Sequence, residues 1–136
     1  MGITHVSAVV TGPTRKRVTV RFLVDSGASY TLLPAKDWKR IGLKPKRTEL
    51  FALADGTTIE RKVSEAFIAL GDVDGHTPVI LGENDDQPLL GVVTLENLGL
   101  VLNPFSRKLQ PMRLLLAGVE VHSSRRTRNQ KLGTKN

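Results

Sequence analysis

The chain has 136 residues, of which 40% are hydrophobic and 4% aromatic, and its formal net charge is +7. This length fits one domain with an aliphatic core. The absence of cysteine excludes disulfides, thiolate metal sites and cysteine nucleophiles. We find neither a secretion signal nor an apolar run of roughly 20 residues that could cross a bilayer, so we expect a cytoplasmic protein without a membrane partner.

The positive charge is concentrated at one end of the chain. Residues 121–136 carry +5 of the net +7, which leaves +2 for residues 1–120. We therefore predict a domain at 1–120 and a basic, disordered tail at 121–136. A net positive charge is typical of nucleic-acid-binding proteins. Because residues 1–120 are almost neutral, we assign any contact with RNA or DNA to the tail, whose basic residues are Arg125, Arg126, Arg128, Lys131 and Lys135.

The first half of the chain predicts strands that end at glycine or proline. Apolar residues alternate with polar or small ones over 6–10, and TGPTRK follows as a turn. A second alternation over 18–24 predicts a strand that ends at Asp25. YTLL is a short strand stopped by Pro34, and AKDWKRIGL predicts one or two helical turns.

The second half predicts two hairpins, a short helix and closing strands. In ELFALADGTTIERKV, Asp55-Gly56 indicates a hairpin with a type I′ turn, in which both central residues have positive φ. A second Asp-Gly turn is expected at Asp74-Gly75, between the strands EAFIALG and TPVIL, and GENDDQP is an acidic loop. LLGVVTLENLGLVLNP predicts strand, glycine, helix and strand, and KLQPMRLLLAGVEV predicts one or two more strands. The expected fold class is all-β with one clear short helix near the C-terminus.

The stretch VRFLVDSGASYTLLP places Asp25-Ser26-Gly27 at the end of an apolar strand. A carboxylate is costly to bury there unless donors surround it. Gly27 lets the backbone turn sharply and bring an N–H toward a neighbouring group, and the Ser26 hydroxyl can tie the loop to another segment. These residues are candidate catalytic residues, although a turn after a strand would explain the three of them equally well.

Taken together, several motifs resemble the retropepsin-like aspartic proteases, which include the retroviral proteases and small standalone prokaryotic members. They are FLVDSGAS at 22–29, the hairpin around 54–57 and LLG at 89–91. The resemblance covers residues 3–116 and implies a closed β-barrel with one lobe per chain. It also implies peptide-bond hydrolysis by a water held between two carboxylates that share one proton, without metal or cofactor. Because the chain has one Asp-Ser-Gly, the second Asp25 must come from another copy, which predicts a homodimer.

The same resemblance assigns roles around Asp25. Ser26 would hydrogen-bond across the dimer axis, and Gly27 would contact the two carboxylates and the substrate. The substrate, an extended and hydrophobic segment of a peptide or unfolded protein, would pair with the loop backbone, lie against apolar walls and be covered by the hairpin as a flap. The substrate-binding residues are then Ala28 and Ser29 in the loop, Leu32 and Leu89 in the walls, and Leu53, Ala54, Asp55, Gly56 and Thr57 in the flap.

The chain departs from the retroviral pattern at its expected dimer contacts. Ser29 and Val92 stand where retroviral members have an acidic residue and an arginine that form an ion pair. The chain also continues beyond 101–104, which resembles the retroviral C-terminus. We therefore expect this dimer to be held by other contacts than the retroviral ones.

The sequence also leaves functions other than proteolysis open. The main alternative is a catalytically idle, dimeric peptide-binding module in which Asp25 only accepts backbone hydrogen bonds. Ser26 lacks the Gly-x-Ser-x-Gly setting of a serine nucleophile. DVDGH does not continue with the spacing of a calcium loop, so we expect a turn there and no metal site.

Overall fold

The computed structural model describes the backbone of residues 4–116 and 119–122 and the side chains of residues 4–112. The described part is mostly β, with strands that follow the predicted order. Its elements are β1 His5–Thr11, β2 Arg17–Val24, β3 Thr31–Leu33, α1 Ala35–Arg40, β4 Arg47–Ala52, β5 Thr58–Leu70, β6 Val73–Leu81, β7 Leu89–Leu90, α2 Val92–Asn97, β8 Leu100–Leu102, β9 Leu109–Pro111, β10 Arg113–Leu116 and β11 Val119–His122.

The described residues form two helices of six residues each, where the sequence predicted one clear helix and one or two helical turns. The second helix, α2, is the predicted C-terminal helix. The first, α1, forms over the helical turns predicted for AKDWKRIGL, and Gly42 follows it with a φ of 76°. Trp38 on α1 packs against the core, and its Nε1 donates a hydrogen bond to the Gly82 carbonyl at 2.8 Å.

Seven strands form one curled sheet in the order β1-β2-β7-β3-β6-β5-β4. Strand β5 also pairs with β1, so the sheet turns back toward its own first strand. Two pairings are parallel, β2 with β7 and β3 with β6, and the other pairings are antiparallel. Strands β3 and β7 share only the residue pair Leu32 and Leu89, so a fully closed barrel stays a prediction.

Strand β2 shows how the alternating sequence builds the core. Val20, Phe22 and Val24 are buried on one face, whereas Arg17, Thr19 and Arg21 are exposed on the other. Successive side chains of a strand point to opposite faces, so this sequence alternation directly gives an inner and an outer face. Phe22 is completely buried, which contributes roughly 1.5–3 kcal/mol relative to an exposed side chain. The buried face ends at Val24, immediately before Asp25.

The hairpin between β4 and β5 lies where it was predicted, but its turn type was wrong. The loop has five residues, 53–57, between the paired residues Ala52 and Thr58. Leu53 N–H donates to Thr57 O at 2.7 Å, and Gly56 N–H donates to Leu53 O at 3.0 Å. Of the loop residues only Gly56 has a positive φ, 90°. The longer loop needs one left-handed residue, whereas a two-residue type I′ turn needs two.

The second predicted turn was also misplaced. Strands β5 and β6 are joined by Gly71 and Asp72, not by Asp74 and Gly75, which lie within β6 opposite Ala69 and Ile68. Gly71 takes the positive φ of 61° at the first central position of the turn, where type II′ turns favour glycine. In this register Thr77 lies opposite Ala66 and Val79 opposite Ser64, and all four residues are buried, so the pairing of buried residues favours this position of the turn.

The described residues after 108 form three strands instead of the one or two predicted. Strand β8 pairs with β9, and β10 pairs with β11. Val121 and His122, the first two residues of the predicted tail, belong to β11. Residues 123–136 lie outside the described residues, so the tail stays a prediction.

Candidate active site

Asp25 lies at the point where β2 runs beside β7. Its N–H donates to the Leu90 carbonyl at 3.1 Å, and its carbonyl accepts the Ala28 N–H at 3.0 Å, which closes a tight turn. Within the turn, Gly27 N–H donates to Asp25 Oδ1 at 2.9 Å. A Cβ at Gly27 would lie 3.3 Å from the same oxygen, so glycine leaves room for this approach. The Asp25 carboxylate is thus oriented by its own loop while the residue remains half-buried and open to solvent.

The segment Leu90–Val92 supports the Asp25 loop from behind. Val92 N–H donates to Ala28 O and Val93 N–H donates to Ser29 O, both at 2.9 Å. A Cβ at Gly91 would lie 2.6 Å from the carbonyl carbon and oxygen of Tyr30, so only glycine allows this contact. The first N–H groups of α2, which have no partner inside the helix, are therefore satisfied by carbonyls of the loop. This contact explains why Leu-Leu-Gly accompanies Asp-Ser-Gly.

Three buried threonines behind the loop were missed from the sequence. Thr31 Oγ1 accepts the Gly91 N–H at 3.0 Å and lies 2.5 Å from Thr94 Oγ1, which lies 2.7 Å from Thr77 Oγ1. All three residues are completely buried. Their hydroxyls join β3, β6 and α2 beneath the Asp25 loop. The sequence did contain a signal for these residues, because each threonine interrupts an apolar stretch. A hydroxyl buried in such a stretch requires a hydrogen-bond partner.

A cleft of about 340 Å³ opens beside the Asp25 loop. Five predicted site residues line it: Gly27, Ala28, Ser29, Leu32 and Leu89. Seven further lining residues were not predicted: Tyr30, Phe51, Ala52, Ile59, Arg61, Ile80 and Asp86. Most of them come from β4, β5 and β6, whose positions next to the loop depend on long-range pairing. Catalytic candidate Gly27 and the predicted wall residues Leu32 and Leu89 thus share one cavity.

The predicted flap residues do not line this cleft. Leu53–Thr57 are exposed at the tip of the hairpin, where 43% of Leu53 is accessible to solvent. Asp55 Oδ1 accepts hydrogen bonds from the Thr57 hydroxyl at 2.7 Å and from the Thr57 N–H at 3.0 Å. These two donors lower the pKa of Asp55 below its ordinary value of 3.8. Hydrogen bonds within the tip therefore hold its conformation, and in the single chain the tip does not contribute to the cleft.

Tyr30 links the Asp25 loop to β4, the strand that leads to the hairpin tip. Its ring meets the Phe51 ring edge-on, with centroids 5.7 Å apart. Its hydroxyl donates to Glu49 Oε2 at 3.4 Å and accepts from Arg47 Nη2 at 3.3 Å. Arg47 Nε also donates to Glu49 Oε2 at 2.5 Å, and the Glu49 carboxylate followed by the Tyr30 hydroxyl raises the pKa of Arg47. Tyr30 and Phe51, which both line the cleft, thus connect the Asp25 loop to the hairpin, and the Arg47–Glu49 ion pair outside the cleft holds the Tyr30 hydroxyl.

Ser26 lies apart from the cleft. Its side chain is exposed, and it lines a second cavity of about 120 Å³ together with Val92, Leu95 and Val101. Val101 on β8 is 41% exposed. The loop thus presents Gly27 toward the cleft and Ser26 toward a different, partly apolar surface.

Among the described side chains, those of residues 4–112, no group of three or more His, Asp or Glu residues could hold a metal ion, and this includes the DVDGH segment. Over the described backbone, residues 4–116 and 119–122, no helix has both the length and the apolar character needed to span a bilayer.

Comparisons with known proteins agree with this geometry. Residues 6–94 match the family described as aspartyl protease, and this range contains Asp25, the cleft and Gly91. No curated protein matches the chain. Among solved structures, the chain is similar to the EIAV protease complexed with the inhibitor HBY-793, with a TM-score of 0.55 and 16% identity over 72% of this chain and 89% of that chain. The chain therefore belongs to the aspartyl protease family and has the retropepsin-like fold.

Proposed function

We propose that this protein is an aspartic endopeptidase that works as a homodimer and cleaves extended, hydrophobic peptide segments. The observation that carries the proposal is the Asp25 carboxylate, which Gly27 N–H orients beside a cleft of about 340 Å³. Family membership supports the assignment of Asp25 as the catalytic carboxylate. Since the chain contains one Asp-Ser-Gly, the catalytic pair requires Asp25 from two copies.

In the homodimer the two Asp25 carboxylates hold one proton between them, because two like charges at short distance do not both ionise. The ionised carboxylate takes a proton from a water molecule as its oxygen attacks the scissile carbonyl carbon. The protonated carboxyl group donates its proton to the carbonyl oxygen. When the tetrahedral intermediate collapses, the C–N bond breaks and the amine leaves with a proton from the carboxyl pair.

The surface that carries Ser26 and Val101 is the side of the chain that we assign to the partner copy. Ser26 is exposed and lies one residue from Asp25, so its hydroxyl is available to bond across the axis. The exposed Val101 and the apolar cavity next to it would be covered in the same contact. This contact would replace the retroviral ion pair, whose positions are Ser29 and Val92 here.

The substrate would lie along the loop and under the hairpin. Ala28 N–H already donates to Asp25 O, whereas Ser29 N–H has no acceptor among the described residues. We therefore assign backbone pairing to the Ser29 N–H and side-chain contact to Ala28, Leu32 and Leu89. Leu53–Thr57 would form the flap, with Leu53, Ala54, Asp55, Gly56 and Thr57 moving over the bound peptide and excluding water.

The test compares wild type, Asp25→Asn and the control Asp85→Asn, an exposed loop carboxylate. Each protein is incubated with a denatured protein mixture between about pH 4 and 7, the range in which a shared-proton carboxylate pair operates, and products are identified by mass spectrometry. We expect cuts from wild type and Asp85→Asn and none from Asp25→Asn. If neither wild type nor Asp25→Asn produces cuts, and both are folded and dimeric by sedimentation, the result would favour the idle peptide-binding module instead.

Mixing the subunits tests the shared site itself. When wild type and Asp25→Asn are unfolded together in equal amounts and refolded, random pairing leaves about a quarter of the dimers with two Asp25 carboxylates. Activity per wild-type chain should then fall by about half. Activity that stays proportional to the amount of wild-type chain would show that each protomer acts alone.

A further inference from the structure

Two charged residues line a cleft whose other lining residues are uncharged. They are Arg61 on β5 and Asp86 in the loop after β6, both half-buried. Asp86 is bound within its own loop, since its Oδ2 accepts the Glu83 N–H at 2.7 Å and its N–H donates to Glu83 O at 3.3 Å. Arg61 has no hydrogen bond of similar length among the described residues, so its position in the cleft is not explained by a bond within the chain.

The position of Arg61 follows from the alternation of β5. Ile59 and Arg61 share the strand face that lines the cleft, whereas Glu60 and Lys62 are exposed on the other face. Strand pairing places Glu49 directly opposite Arg61. The Glu49 carboxylate, however, is bound by Arg47 and Tyr30. Both bonds use Oε2 of Glu49, so this carboxylate is directed to Arg47 and Tyr30 although it stands opposite Arg61.

The only hydrogen bond of the Arg61 side chain within the described part of the chain runs from Nη1 to the Glu60 carbonyl at 3.5 Å. Among the described residues, no carboxylate forms an ion pair with Arg61 within 4.0 Å. A guanidinium group carries five N–H donors, arranged to match a carboxylate, and a half-buried cation is stabilised by such a partner. An apolar peptide segment alone would leave these donors unpaired when it covered the cleft.

We propose that Arg61 is a specificity-determining residue that binds the carboxylate of a Glu or Asp side chain in the substrate, an inference that rests on the proposed endopeptidase function. The preferred substrate is then an extended segment with hydrophobic residues and one acidic side chain at a fixed distance from the scissile bond. Asp86 lines the same cleft and opposes this preference by like-charge repulsion. It tunes the selectivity that Arg61 creates.

The test uses a set of short peptides with a central Leu-Phe pair, in which each other position in turn carries either Glu or Gln. The ratio of kcat/KM for Glu over Gln is measured for wild type and variants, and fluorescein-labelled copies of the same peptides are titrated against Asp25→Asn. We expect one position at which wild type prefers Glu by about tenfold, the size of one charge-assisted hydrogen bond. The same preference should appear in the affinity of Asp25→Asn.

The variants give effects of opposite sign. Arg61→Gln should bring the Glu/Gln ratio to about one, Arg61→Lys should keep part of it, and Asp86→Asn should increase it. Lys62→Gln is the matched control, because it removes one positive charge from the exposed face of the same strand and should leave the ratio unchanged.

The outcomes separate this inference from the proposed function. If the peptides are cleaved without a preference for Glu, or with a preference that Arg61→Gln leaves unchanged, the role of Arg61 is overturned. The proposed endopeptidase function is still supported by either result. Absence of cleavage together with tighter binding of the Glu peptide, lost when Arg61→Gln is added to Asp25→Asn, supports Arg61 and overturns the protease. A preference for Gln over Glu that Asp86→Asn removes contradicts the inference directly.

Discussion

Replacing Thr94 by valine should destabilise the protein without distorting the Asp25 loop. Thr94 is completely buried, and its hydroxyl lies 2.5 Å from that of Thr31 and 2.7 Å from that of Thr77. Valine has nearly the same shape, so the variant removes two hydrogen bonds and creates no cavity. Thr31 would keep the Gly91 N–H as a donor, whereas Thr77 would keep only a contact of 3.5 Å to the Pro78 carbonyl.

The expected loss follows from these contacts. Each lost bond between neutral groups contributes about 1 kcal/mol, and a buried hydroxyl left almost unpaired adds roughly 1–3 kcal/mol. The free energy of unfolding should therefore fall by about 3 kcal/mol in Thr94→Val, which is a large part of the roughly 5–15 kcal/mol that holds a domain together. Thr94→Ser keeps the hydroxyl and removes one methyl group, so it should cost only about 1 kcal/mol.

The assay is urea unfolding at one protein concentration, because dimerisation would make stability depend on concentration. The double variant Thr94→Val/Thr77→Val removes both partners of the 2.7 Å bond and should be less destabilised than the sum of the two single variants. The reasoning is refuted if Thr94→Val is no less stable than Thr94→Ser, or if the single effects simply add.

Two further predictions concern the loop support and the hairpin tip. Gly91→Ala places a Cβ 2.6 Å from the Tyr30 carbonyl, so we expect a loss of roughly 1–3 kcal/mol together with loss of cleavage. Gly71→Ala, strained by its φ of 61° but in open space, should lower stability alone; equal activity losses in both variants would contradict this account. At the tip, the Thr57 hydroxyl and, second, the Thr57 N–H lower the pKa of Asp55 in the folded protein. These hydrogen bonds therefore stabilise the folded protein at a pH above the pKa that Asp55 has in the unfolded chain, and the stabilisation is lost as the pH falls through the lower pKa of Asp55 in the folded chain. In an NMR titration of the Asp55 carboxyl group, Thr57→Val should raise its pKa toward 3.8, and an unchanged midpoint would show that the hydroxyl does not act.

The strands and the loop motif could be predicted because their signals are local. The alternation over Val18–Val24 specifies a strand with one buried face, and that face ends where Asp25 begins. The hairpin at 53–57 was equally visible in Asp55-Gly56. The turn type could not be predicted, because the length of the loop decides which residues need a positive φ. The residues around Asp55-Gly56 do not reveal that the loop has five residues.

The position of the turn between β5 and β6 could not be predicted from its dipeptide sequence alone. Asp74-Gly75 and Gly71-Asp72 are both reasonable turn sequences. The second sets Thr77 opposite Ala66 and Val79 opposite Ser64, and all four residues are buried. A turn at Asp74-Gly75 would instead set Thr77 opposite Asp72 and Val79 opposite Leu70, neither of which is fully buried, so the pairing of buried residues distinguishes two locally acceptable turns.

By itself, the sequence determined that this chain is a small β protein with a carboxylate at the end of a buried strand, near residues that resemble the retropepsin-like proteases. Tertiary structure alone decided what surrounds that carboxylate. The parallel pairing of β2 with β7 brings Leu90 to the Asp25 N–H, the threonine hydroxyls meet across three elements, and Arg61 enters the cleft while Glu49 is bound elsewhere. These contacts join residues distant in the chain, and their geometry is set by the pairing register and burial of the whole sheet, which no local pattern encodes.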